Sequence, residues 1–171
     1  NCVLPVKQLR KILARHRRAF AVTERDLGRY REPVSIKLQD PTQTPNYCKP
    51  RVVPFALREW VDSKLQEMVE TGLIKLAQGS AFNSPVHIVK KKEPGKYRIT
   101  IDFRYINTLI QQNRWPIPNI REILSHLGGS KIFSVLDCRS GFWQIQLAED
   151  SQNITAFTCR GRQYVWRVLP M

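Results

Sequence analysis

Apolar positions along the chain fall into two regimes, helical spacing in the first half and strand spacing in the second. Residues 5 to 19 place Val6, Leu9, Ile12 and Leu13 at helical spacing among Lys7, Arg10, Lys11, Arg15, Arg17 and Arg18, which predicts a short basic amphipathic helix. Its charged side reads either as a solvated face over one packed apolar stripe or as a nucleic-acid contact. Between Gly28 and Pro54 five prolines and few large apolar residues predict an extended segment that wraps a body. A second helix is expected from about Pro54 to Thr71, because Leu57, Val61, Leu65, Met68 and Val69 repeat at helical intervals and Gly72 supplies a stop. After it the period becomes that of strands, predicted at 85–92, 97–102, 132–137, 142–147, 154–158 and 163–169. The turns Glu93-Pro94-Gly95 and Arg160-Gly161 each join two of these as hairpins would. One more helix interrupts the series, with Pro118 near its first turn, Ile120, Ile123, Leu124 and Leu127 on one face, and Gly128-Gly129 at its end. A mixed α+β fold with antiparallel hairpins and flanking helices follows.

Composition changes this picture mainly through charge. The 171 residues hold 28 Lys and Arg against 14 Asp and Glu, a net charge of +14, so a polyanion is the first partner to consider. A basic but inert surface is the alternative. Cys2, Cys48, Cys138 and Cys159 are scattered without a C-x-x-C pair, which indicates neither a zinc site nor a disulfide framework and fits reduced thiols in an intracellular protein. No apolar run approaches the roughly 18 residues of a membrane span, and no membrane role is expected. The chain opens on Asn1 without an initiator Met, which predicts that it was cut from something longer.

Two places carry candidate chemistry. Lys90, Lys91 and Lys92, a tight turn, then Lys96, Arg98 and Arg104 put cations on two adjacent strands, with Lys96, Arg98 and Thr100 on one strand face and Tyr97, Ile99 and Ile101 on the other. Phosphate oxygens of a triphosphate or a template backbone suit such a hairpin. Edge lysines that discourage aggregation are the competing explanation. The second place is Asp137, at the end of the apolar run Ile132 to Leu136 and followed by Cys138-Arg139-Ser140-Gly141-Phe142. A carboxylate ending a buried strand needs a compensating cation, either Mg²⁺ or the neighbouring Arg139. A pair of hard cations needs several converging carboxylates, and one Asp does not supply them.

The strings VKKKEPGKYRITIDFRYINTLIQQNRWPIPNI (89–120), FSVLDCRSGFWQIQLAEDSQNITAF (133–157) and YVWRVLPM (164–171) resemble, in order, the reverse transcriptases of gypsy-type long-terminal-repeat retroelements. FAVTERDLG (20–28) and PRVVPFALREWVDSKLQEMVETGLI (50–74) are similar to the lead-in of the same enzymes. The resemblance implies a partial right-handed polymerase fold. Residues 1–53 would be the basic helix and extended lead-in, 54–131 mainly fingers, and 132–171 the start of a palm that stops short of the Y/F-x-D-D hairpin. It further implies RNA-directed DNA polymerisation on a template-primer of RNA or DNA with deoxynucleoside triphosphates and Mg²⁺, in the cytoplasm, the nucleus or a retroelement particle. By motif, Asp137 and the backbone carbonyl of Cys138 match metal ligands. Lys91 and Arg98 match residues closing on the triphosphate, and Phe142 matches the aromatic gate beneath the sugar. Lys90, Lys92 and Lys96 are candidate nucleic-acid contacts.

Departures from the family pattern limit what these residues are expected to do alone. No Asp-Asp pair occurs in the sequence, and Asp102 is expected to partner Arg98 or Arg104 instead of a metal. Asn153 stands where a Lys is frequent in the family. The isolated chain is therefore expected to be inactive, with apolar palm surface that another chain or a partner protein would cover. A truncated, retained module that binds nucleic acid or protein is the alternative, and the reading frame beyond Met171 discriminates the two. A relative of RNA-dependent RNA polymerases is a third reading, opposed by Phe142.

Overall fold

The computed structural model describes residues 5–23, 26–43, 45, 47–112 and 116–171; Cys2 and the portions of the family-like strings at 24–25 and 113–115 lie outside the described residues. In chain order the elements are α1 (Val6–Arg15), α2 (Arg58–Glu70), β1 (Ile74–Leu76), β2 (Val86–Lys90), β3 (Tyr97–Ile101), α3 (Arg104–Leu109), α4 (Ile120–Ser125), α5 (Glu149–Gln152), β4 (Phe157–Cys159) and β5 (Arg162–Trp166).

The core forms where α2 lies against a three-stranded antiparallel sheet of order β1-β5-β4. Val61, Leu65 and Met68 of α2 are buried together with Ile74, Phe157, Tyr164 and Trp166. Each such side chain stabilises the fold by about 1.5–3 kcal/mol relative to leaving it in water. Phe157 stacks on Tyr164 at 5.6 Å between ring centroids and tilts against Trp166 at 6.3 Å. Helix α2 ends as the sequence predicts. Gly72 takes φ 73, and the N–H groups of Gly72 and Leu73 return to the carbonyls of Val69 and Met68 at 3.0 and 2.9 Å, a Schellman closure.

Both predicted hairpins are present. β2 pairs with β3 from Val86↔Ile101 to Lys90↔Tyr97, and β4 pairs with β5 across Arg160-Gly161, both at positive φ. Trp60 of α2 meets Tyr97 of β3 at 5.7 Å, which seats the first hairpin on the helix. The Pro-rich segment runs extended over this body as expected. It touches it through single bridges, Val34↔Leu147, Leu38↔Ile110 and Tyr47↔Asn83.

Four expectations fail, each for a physical reason. Residues 132–137 form no strand. Their apolar side chains find no pairing partner among the described residues, and Val135 and Leu136 are 91% and 83% exposed. Residues 142–147 are not a strand either, because Ser140 adopts a left-handed conformation (φ 45) that starts a tight 3₁₀ turn over Gly141–Gln144. Residues 154–158 begin as another 3₁₀ turn, Asn153–Thr155, and become strand only at Phe157. Helices α1 and α4 form, α4 with the Asn119 side chain capping the Arg121 N–H at 2.9 Å, but neither buries its apolar stripe. Helices α3 and α5 and strand β1 were not foreseen.

Candidate nucleotide and nucleic-acid interface

The β2–β3 hairpin sets the first group of candidate residues by register alone. Val89 lies opposite Arg98, and Lys91 donates its N–H to the Lys96 carbonyl at 2.8 Å. Alternation therefore places Lys91, Lys96 and Arg98 on one face, all exposed, while Lys90 shares the other face with Tyr97 and its contact to Trp60. The cations are not equivalent. Lys96 is ion-paired with Glu93 inside the turn. Arg104 is held by Asp102 through Nε at 2.9 Å and Nη2 at 2.6 Å, the partnership foreseen as one of two. Those bonds from the Arg104 side chain, then from its backbone N–H, and the nearby His87 hold the Asp102 carboxyl well below its usual range. Arg104 and Lys96 are thus committed locally, leaving Lys90, Lys91, Lys92 and Arg98 as the exposed cations of the hairpin without an ion pair described here.

Asp137 occupies a different setting from the one expected. It is exposed and ends no strand, so burial imposes no demand for a compensating cation. It lines a cleft of about 1190 Å³ whose other wall is the C-terminal end of α1 and the residues after it, including His16, Arg17 and Arg18. Leu136, Cys138, Arg139 and Gln144 complete that side. Arg139 also acts on Asp26, whose carboxyl is lowered first by accepting the Thr23 and Val22 N–H groups, at 3.0 and 2.9 Å, and then by the Arg139 charge. Phe142, Lys91 and Arg98 do not line the cleft, and Phe142 is 54% exposed.

Two carboxylates line this cleft, those of Asp137 and Asp26, and the Asp26 carboxylate already accepts the Val22 and Thr23 N–H groups. Among the described residues no group of three or more His, Cys, Asp or Glu side chains is placed to hold a metal. The donors present do not make up a site for a pair of cations, and no step is routed through one. Sequence reasoning missed three features of this region: the approach of residues 16–18 to Asp137, the packing of Gln144 on Gly28, and its bond to the Arg139 carbonyl. All but the last join residues far apart in the chain, and none has a local signature.

Comparison with known proteins gives this geometry a family. The family model described as reverse transcriptase (RNA-dependent DNA polymerase) matches residues 89–171. Among solved structures, prototype foamy virus protease-reverse transcriptase superposes with a TM-score of 0.79 at 24% identity, covering 99% of this chain and 23% of that one. The foamy viral protease-reverse transcriptase solved in complex with dsDNA gives 0.78 at 28% identity, covering 96% and 34%. The fold is a partial right-handed polymerase fold, and the chain belongs to the reverse transcriptase family.

Its curated relatives narrow the membership. The Pol polyprotein of the Drosophila melanogaster transposon gypsy is 31% identical over 170 residues, covering 96% of this chain and 16% of the relative. That of transposon opus is 36% identical over 141 residues, covering 80% and 14%. The enzymatic polyprotein of figwort mosaic virus is 37% identical over 139 residues, covering 80% and 21%. The chain is reverse transcriptase sequence of the gypsy-type retroelement kind, and it spans about a fifth or less of the polyproteins it matches. No helix among the described residues is long and apolar enough to cross a membrane.

Proposed function

We propose that the chain is the fingers and first part of the palm of an RNA-directed DNA polymerase, with residues 1–53 as lead-in, 54–131 as mainly fingers and 132–171 as the start of the palm. The observation that carries this reading is the shared exposed face of Lys91 and Arg98 on a hairpin of the reverse transcriptase family. In it Lys91 meets the γ-phosphate side of an incoming deoxynucleoside triphosphate and Arg98 the α-phosphate. Phe142 lies beneath the sugar, and Asp137 with the Cys138 carbonyl contributes to Mg²⁺ binding. Lys90 and Lys92 are the template-primer contacts, while Lys96, expected as a third, shares the face of Lys91 and Arg98 and is ion-paired with Glu93. Foamy virus relatives solved with an RNA/DNA hybrid and with double-stranded DNA support nucleic acid as the partner.

Electrostatic stabilisation of phosphoryl transfer depends on converging metals, so these 171 residues by themselves do not polymerise. Purified chain shows no primer extension on an RNA template with Mg²⁺ and deoxynucleotides, and incorporation above background would overturn this statement. In a longer polyprotein carrying the chain, Phe142→Val admits ribonucleotides while retaining deoxynucleotide incorporation. Loss of both activities, or unchanged sugar selectivity, would remove Phe142 from the role of gate.

A further inference from the structure

Three separate stretches of chain meet at Gln144. Its backbone carbonyl accepts the Tyr30 N–H at 2.7 Å. Its Nε2 donates to the Arg139 carbonyl at 2.8 Å. Its Oε1 lies 2.5 Å from where a Cβ on residue 28 would stand, so in this rotamer the amide end of the side chain uses the space that glycine leaves. Beyond Gln144 the lead-in continues to be joined to the same stretch. Val34 donates to the Gln146 carbonyl at 2.8 Å and accepts from the Ala148 N–H at 3.0 Å, while the Ile36 N–H donates to Ser151 Oγ at 2.9 Å.

Residues 131–139 are all exposed, and 132–137 pair with no strand among the described residues. The Gln144 side chain ties the Arg139 carbonyl to the residue whose own carbonyl accepts the Tyr30 N–H, and the Arg139 charge acts on Asp26 of the lead-in. Gln144 thus stands between the Asp137–Arg139 turn and a lead-in residue more than a hundred places earlier in the chain.

We propose that Gln144, seated in the space over Gly28, is a positioning residue that fixes the Asp137–Arg139 turn against the lead-in. What the turn then does rests on the polymerase reading above. The tether itself does not.

Hydrogen exchange in this chain tests it. The Trp143 and Ile145 N–H groups, bonded at 2.8 and 3.1 Å within the Gly141–Gln144 turn, report its order, and the β4–β5 amides serve as the folding control. Gln144→Glu keeps the volume and replaces the donor with a second acceptor facing a carbonyl, so both reporter amides exchange about tenfold faster while the control amides do not change. Gly28→Ala displaces the amide end of the side chain from this seat and speeds the same amides. Adding Gln144→Ala to Gly28→Ala relieves the clash and recovers the melting temperature, yet exchange stays fast because the Arg139 carbonyl remains untethered. Wild-type exchange in Gln144→Glu, or slow exchange restored in the double variant, would show that Gln144 only fills space and would overturn the proposal. In a longer polyprotein carrying the chain, Gln144→Glu lowers kcat for primer extension with KM for template-primer unchanged. Fast exchange with unchanged kcat would leave the tether standing and refute the catalytic assignment of Asp137.

Discussion

Helices α2 and α4 are written in the same alphabet and end in opposite environments. Each repeats apolar side chains at helical spacing, Val61, Leu65 and Met68 in one and Ile120, Ile123 and Leu124 in the other. Those of α2 are at most 6% exposed, whereas those of α4 are 72%, 48% and 58% exposed. The same contrast separates Val165 of β5, 1% exposed, from Val135, 91% exposed in a segment of equally apolar composition. Period therefore reports which face of a segment seeks cover. Whether cover arrives depends on chain far away: α2 is covered because β1, β4 and β5 close over it.

The largest expected effect that sharpens this contrast comes from two phenylalanines. Phe157→Ala removes a fully buried ring from between Tyr164 and Trp166 and costs about 3–5 kcal/mol. That is a large part of a stability of about 5–15 kcal/mol. Phe133→Ala, at a ring 59% exposed, changes the unfolding free energy measured in urea by less than about 0.5 kcal/mol. Equal losses would erase the distinction between the two regions.

An intermediate effect is expected from pH at the edge of the packed region. The folded-state pKa of Asp102 lies below its ordinary value of 3.8, so the unfolded chain takes up protons first as the solution is acidified. The Asp102–Arg104 contribution is accordingly complete above about pH 4 and is lost as pH falls below it. Acid titration of the unfolding midpoint shows this loss in the wild type and a shallower one in Asp102→Asn; identical titrations would mean that the pair does not couple to folding.

The smallest effect belongs to α4. Asn119→Ala removes its N-cap, worth about 1 kcal/mol to the helix. Because the exposed helix adds little to the core, the loss registers as faster exchange of the α4 amides, with the global unfolding midpoint unmoved. A shift of that midpoint by the full amount would show that α4 is packed after all.

What the sequence made legible follows the same division. The β2–β3 hairpin and the shared face of Lys96 and Arg98 were readable because a Pro-Gly turn and simple alternation are local signals. The same holds for the Gly72 stop and the Asp102–Arg104 pair, whose partners are two residues apart. Strands at 132–137 and 142–147 were misread because a β-like pattern carries no information on whether a pairing edge exists, and because the left-handed Ser140 redirects the chain at one residue. Gln144 looked like any polar strand position. Its role depends on Gly28, and no window short enough to show periodicity holds both.

The bond from Ile36 to Ser151 spans 115 residues, and the pairing of Ile74 with Trp166 also bridges most of the molecule. A chain emerging from the ribosome in order can form α2 and the β2–β3 hairpin early, but residues 30–36 of the lead-in and the pairing edge of β1 wait for their partners until residues 144–168 have been made. Loop closure over such distances is slow. During that interval the uncovered edge of β1 is open to neighbouring nascent chains, beside the apolar faces of α1 and α4 that stay exposed after folding, so yield in expression should depend more on the rate of synthesis and on chaperone supply than on the stability of the finished core.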